Sequence, residues 1–276
     1  MTSATMIVVP QWQGSGAAQA HRLVRGAQLL AELIPARRRI DVAVDEAPGE
    51  LRDGVRSLDA LVRHARAVAA ALDGLPAGKP AIAVGGDCSI DLMPIARAAA
   101  RHGERLAVVW LDAHGDLNTP ESSPSHAFHG MVLRTLLGEG PPALRPPATL
   151  RPHQVVLAGA RALDAPEEDV IRERRIRRVT VDELRDPGTL VDAVAATGAS
   201  AVYVHFDLDV LDPETFSSVG YPEPGGVSPA LAAAAVSALA ARFELAGLAI
   251  TELQAAGTDE ERAVLRDLIG ALPIGR

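Results

Sequence analysis

Two short patterns carry most of the chemistry written in this chain. Asp112, His114 and Asp116 alternate along one stretch, and Asp207 and Asp209 along another. Side chains two apart in extended backbone share a face, so each pattern presents its polar groups to one side. Side by side, the two segments put four carboxylates and one imidazole into a small volume. Carboxylates that close push each other's pKa up and do not persist unpaired; divalent cations resolve the conflict. Four carboxylates are more than one tetrahedral zinc would use, so two metals sharing bridging carboxylates are the economical reading. Carboxylates with one imidazole suit Mn²⁺ better than Zn²⁺. A lone Asp-x-Asp after a strand is more often a turn or a helix cap; the two patterns together read as a metal site.

The elements that must position these groups are legible as alternation. Apolar runs of strand-forming residues fall at 6–9, 40–44, 81–84, 106–111, 154–158, 178–181, 201–206 and 248–251. Several lack polar alternation, as parallel strands covered on both faces do. Helical patterns lie between them, at 17–33, 58–72, 90–100, 166–174, 189–196, 229–241 and 259–272. Ser228 before Pro229 reads as an N-cap followed by proline at the first helical position. Alternating β and α segments predict one α/β domain over residues 1–276 with a mostly parallel sheet. Ligands of such sheets bind beyond the carboxyl ends of the strands, and the polar clusters here, including Glu252 after the last strand, fall at those ends.

Composition narrows the function. The chain is 48% hydrophobic and 22% charged, an ordinary globular balance, and its 3% aromatic content leaves the core to Ala, Val, Leu and Ile. A net charge of -8 argues against nucleic acid as a partner. The basic run 172–178 reads as a solvated helix end leading into a strand. Cys88 is the single cysteine, so no intrachain disulfide forms. Residues 1–6 lack the basic start and apolar run of a signal peptide, and no stretch matches a bilayer span. The expectation is a cytoplasmic protein with no membrane partner.

Three segments carry a family resemblance: GGDCS at 85–89, DAHGDLNTP at 112–120 and FDLDVLDP at 206–213. Their order and separation resemble the ureohydrolase family of arginases, agmatinases and formimidoylglutamases. The resemblance implies an α/β/α fold around a mainly parallel eight-stranded sheet. It also implies hydrolysis of a guanidino C–N bond by a hydroxide bridging two Mn²⁺. In that register Asp112 and Asp207 would bridge both ions, His114 and Asp209 would complete one, and Asp116 and Cys88 the other. His129 matches the proton-shuttling histidine, and Glu252 the glutamate that contacts the substrate guanidinium. Family members often form trimers or hexamers, which makes a homo-oligomer compatible with the resemblance.

The substrate reading rests on one loop and one altered ligand. Asn118, Ser123 and Ser125 match donors that hold the α-carboxylate of an amino acid in arginases, and Asp164 the carboxylate near its α-amino group. Agmatine has no α-carboxylate, so a guanidino amino acid is favoured; the bland alternative is a polar turn rich in Ser and Pro. Ala127 stands where arginases usually carry Asn, and Tyr221 near a usual Thr, which would narrow the pocket. Cys88 replaces the family's usual His. Cysteine is often buried for packing alone, but in this register its sulfur is expected to touch the metal. A soft thiolate on hard Mn²⁺ would weaken Lewis acidity, a loss that a less basic guanidine tolerates. The resemblance is nearest the Cys-bearing branch of antibiotic biosynthesis, implying N-omega-hydroxy-L-arginine as substrate, with ornithine and hydroxyurea as products. The alternatives are an arginase or other guanidino-acid hydrolase, and a metal-poor relative that binds without catalysis.

Overall fold

The computed structural model describes residues 5–75 and 80–274. Residues 1–4, part of the stretch examined for a signal sequence, lie outside them. The strands in chain order are β1 (Thr5–Val9), β2 (Arg38–Asp41), β3 (Leu51–Arg52), β4 (Val55–Arg56), β5 (Ala81–Gly85), β6 (Leu106–Leu111), β7 (Val155–Ala158), β8 (Arg177–Val179), β9 (Ala201–Asp207) and β10 (Glu244–Thr251). Eight of them form one sheet in the order β2-β1-β5-β10-β9-β6-β7-β8. Every neighbouring pair in it is parallel. The expected eight-stranded sheet is therefore present, and β3 and β4 add a short antiparallel hairpin that periodicity did not mark.

Helices cover both faces. On one side α1 (Arg22–Leu33), α6 (Pro187–Ala195), α7 (Pro229–Arg242) and α8 (Asp259–Ala271) bury side chains with Val202, Val204 and Phe206 of β9. On the other, α2 (Leu58–Asp73), α3 (Leu92–His102), α4 (Val132–Leu136) and α5 (Ala165–Arg174) pack with Ala201 and Tyr203 of the same strand. The alternation along β9 is the period-two rule in practice. Ser228 does cap α7, accepting from the Leu231 amide.

The sheet's two edges depart from the expected bounds for one reason. The strands expected at 40–44 and 178–181 lie at Arg38–Asp41 and Arg177–Val179. Pairing with β1 and β7 draws exposed arginines into the edge strands, and charged edges resist pairing with other chains. The helix expected from residue 17 begins at Arg22, because 18–21 are turns. The helix expected from 90 is preceded by a 3₁₀ turn, Cys88–Asp91, in which the Asp87 side chain accepts from the Ser89 amide.

The glycine pair after β5 is required by packing. A Cβ on Gly86 would overlap the Gln11 carbonyl, and Gly85 adopts φ 135°. Gly270, exposed in α8, faces open space. Gly86→Ala should destabilise the fold by about 1–3 kcal/mol, and Gly270→Ala should stabilise it by about 0.5–1 kcal/mol. Urea midpoints of the two variants check both signs.

Candidate metal centre

The four central strands of the sheet, β5, β10, β9 and β6, are adjacent, and each ends in residues singled out above. Cys88 follows β5, Glu252 follows β10, Asp207 ends β9 with Asp209 beyond it, and Asp112, His114 and Asp116 follow β6. All but His114 are at most 4% exposed. Local turns aim the carboxylates. Asp112 Oδ1 accepts from the His114 amide at 2.6 Å, and Asp207 Oδ1 from the Asp209 amide at 2.8 Å. Each aspartate thereby fixes one oxygen on its own backbone. Of the second oxygens, Asp112 Oδ2 faces Trp110 Nε1 at 3.0 Å and Asp207 Oδ2 faces Cys88 Sγ at 2.9 Å. Asp116 and Glu252 hold left-handed backbone, with φ 52° and 62°, a conformation uncommon outside glycine and associated with functional sites.

The ligand atoms fall into overlapping sets. Those of Asp112, His114 and Asp209 lie within 4.8 Å of one another, and so do those of Cys88, Asp112, Asp116 and His205, and of Cys88, His129 and Glu252. Asp112 is shared by the first two sets. His114 Nδ1 lies 3.0 Å from Asp209 Oδ2 and 3.4 Å from Asp112 Oδ1. His129 Nδ1 lies 3.2 Å from Glu252 Oε1, which also accepts from the Cys88 amide at 3.2 Å.

Burial, and then the neighbouring carboxylates, raise the pKa of Asp112, Asp116 and Asp207. Burial and the facing Asp207, Asp116 and Glu252 push the Cys88 thiol well up. Burial opposes the charged form of His114, but Asp209 and Asp112 outweigh it and the net shift is upward. Asp116 Oδ2 and Glu252 Oε2 are buried with no hydrogen-bond partner. Concentrated negative charge with orphaned oxygens, imidazole nitrogens and one sulfur in reach is a donor set that fits a pair of divalent cations.

A cavity of about 400 Å³ opens over the cluster. Asn118, Ser123, Ser125 and Asp164 all line it, as do His129 and Tyr221. Asn118 Nδ2 donates to Asp164 Oδ2 at 2.9 Å, and the Ser123 and Ser125 hydroxyl oxygens lie 3.4 Å apart. The Tyr221 ring stands 5.3 Å from that of His129, narrowing the mouth. Glu252, expected against the substrate guanidinium, is 2% exposed and grouped with Cys88 and His129, which both line the cavity.

Sequence reasoning missed Glu167, whose buried carboxylate accepts from the Leu117 amide at 2.9 Å and from the Asp164 amide at 2.9 Å. The Asp164-x-x-Glu167 spacing is a capping-box signal that could have found it. It also missed the buried Asp91, Tyr203 and His205, which had no local pattern to reveal them.

Comparison with known proteins agrees with this geometry. A family model described as the arginase family matches residues 13–265. Arginase from Bacillus caldovelox is 39% identical over 184 residues, 63% of this chain, and in that alignment the chain spans 61% of the relative's length. The native structure of that arginase superposes with a TM-score of 0.85 at 28% identity, covering 100% of this chain and 99% of the other. Entamoeba histolytica arginase in complex with L-ornithine gives a TM-score of 0.87 at 25% identity, covering 98% and 97%.

The raised groups fix a pH dependence for the metal-free protein. Burial first, and then Glu252, lift Asp87 from 3.8 to about 6, and Asp112, Asp116 and Asp207 shift the same way, so the folded state binds protons that the unfolded chain has released. His114 and His129, held high by carboxylates, stabilise the fold below their ordinary pKa, a contribution lost as pH rises through the folded values. His64 and His102, lowered by burial, oppose this and are outnumbered. The Tm of chelator-stripped protein should fall between about pH 5 and about pH 8, and added Mn²⁺ should reverse the fall. A calorimetric series that rises with pH would contradict it.

Proposed function

Because the chain belongs to the arginase family, we propose that it hydrolyses a guanidino amino acid, preferentially N-omega-hydroxy-L-arginine, to L-ornithine and hydroxyurea. The observation that carries the preference is Cys88, whose sulfur faces Asp207 among the candidate ligands. Asp112, His114, Asp116, Asp207 and Asp209, with Cys88, would hold two Mn²⁺. When bound, such ions supply an activated water nucleophile near neutral pH and charge stabilisation for the transition state.

The chain's own residues account for the rest. Water's oxygen bonds to the guanidine carbon and becomes the carbonyl of hydroxyurea. The bond from that carbon to the ornithine nitrogen breaks, and that nitrogen takes a proton. His129 lines the cavity, and Glu252 raises its pKa in spite of burial. It is placed to deliver that proton, as a general acid must be. Ser123 and Ser125 offer hydroxyls to an α-carboxylate, and Asp164 faces an α-ammonium. An amino-acid substrate is also in keeping with the ornithine bound by the Entamoeba relative.

A site that activates water more weakly suits a less basic guanidine. Thiolate adds a fifth negative charge to the four carboxylates and is a poor partner for a hard ion. Plain arginine hydrolysis is the second reading, favoured by the arginase relatives.

Protein reconstituted with Mn²⁺ should release ornithine faster from hydroxyarginine than from arginine; equal or reversed rates overturn the substrate assignment. Cys88→His should raise arginine hydrolysis by about tenfold, roughly 1.4 kcal/mol of barrier. Elemental analysis should find about two Mn per chain, and a chain that takes up none would be a binding relative without this chemistry.

A further inference from the structure

The mechanism above leaves His205 without a task, although it is fully buried at the base of the cluster. It lies two residues before Asp207 on β9, so both side chains leave the same face of the sheet. Its partner in register on β6 is Trp110, and the two rings stack with centroids 3.6 Å apart and planes 12° from parallel. The ring is thereby held in one orientation.

Its two nitrogens have different surroundings. His205 Nδ1 lies 2.9 Å from Asp91 Oδ2, and the Tyr203 hydroxyl donates to the other oxygen of Asp91. A carboxylate accepts at Nδ1, so the neutral ring carries its hydrogen there and its lone pair on Nε2. Nε2 is buried with no hydrogen-bond partner. It lies 3.9 Å from Asp112 Oδ2, an acceptor. An enclosed lone pair facing acceptors is costly unless a cation stands between them. Two donors each about 2.1 Å from one ion can be at most about 4.2 Å apart, and this pair meets that limit.

We propose that His205 Nε2 is a further nitrogen ligand of the cation held by Cys88, Asp112 and Asp116, oriented by Asp91, which Tyr203 anchors. The assignment rests on the metal reading above. It follows the general pattern in which a ligating histidine gives its other N–H to a carboxylate. It also gives the 3₁₀ turn Cys88–Asp91 a purpose. Residues three apart eclipse in such a turn, so one turn presents both the thiol and the orienting carboxylate. A neutral imidazole adds a donor to a thiolate-rich ion without adding charge.

The test is electron–nuclear double resonance on the full chain loaded with Mn²⁺, with histidine carrying either nitrogen isotope. Two directly bound imidazole nitrogens are expected, from His114 and His205. His205→Gln should lose one of them and bind Mn²⁺ about 10–100-fold more weakly, and Asp91→Asn should keep both couplings with affinity lowered on the order of tenfold. A single bound nitrogen in the unaltered protein, surviving in His205→Gln, overturns the role of His205 alone. Failure to bind Mn²⁺ at all overturns the metal reading beneath it. Should His205→Gln not fold, His114→Gln decides: one remaining nitrogen coupling supports the proposal, and none refutes it.

Discussion

Carboxylate repulsion at the carboxyl edge of four adjacent parallel strands is the constraint on which this structure turns. Asp112, Asp116, Asp207 and Asp209 are all buried. Asp112 shares one set of ligand atoms with Asp116 and another with Asp209, and Asp207 is pushed up by burial and then by Asp209 and Asp112. In an apolar interior their charges could not coexist without cations. A parallel sheet is well suited to impose that arrangement. Its strands end in register, and the helices on both faces bury the side chains that lead up to those ends. Strand order β5-β10-β9-β6 converts positions scattered from 88 to 252 into one cluster. The strained backbone at Asp116 and Glu252 is held by the surrounding fold, which opposes the repulsion it creates.

Legibility in the sequence followed the range of the interactions. The Asp112-x-His114-x-Asp116 and Asp207-x-Asp209 patterns were readable because strand periodicity and short Asx turns are local. The cavity residues Asn118, Ser123, Ser125 and Asp164 were found through resemblance, since loops have no period. Asp91 and His205 are 114 positions apart, and only sheet register brings them together; neither propensity nor spacing could suggest it. Strand ends at the sheet's edges were misjudged because the charged residues that protect an edge also hide it from an apolar count. Glu252 was placed by family register as a substrate contact. The left-handed residue after β10 sets its carboxylate beside the Cys88 amide and the His129 ring.

The two histidines nearest the cavity divide the electrostatic work. His114 answers Asp112 and Asp209, and His129 answers Glu252 and, more distantly, Asp87. In the metal-free protein the carboxylates raise the pKa of each ring against the opposing effect of burial. Divalent ions would release His114 to act as a neutral donor. His129 would be unaffected in kind, since its partner Glu252 belongs to the neighbouring set. One family of charges can thus serve binding and proton delivery from adjacent strands.

Cys88 has one more property that follows from its enclosure. Nucleophilic and oxidative reactions of cysteine proceed through the thiolate and require access. This thiol is 2% exposed, and burial first and then Asp207, Asp116, Glu252 and Asp112 disfavour its ionisation. In the metal-free protein the chain's single thiol is therefore a slow target for alkylating agents and peroxide, although it lines the cavity.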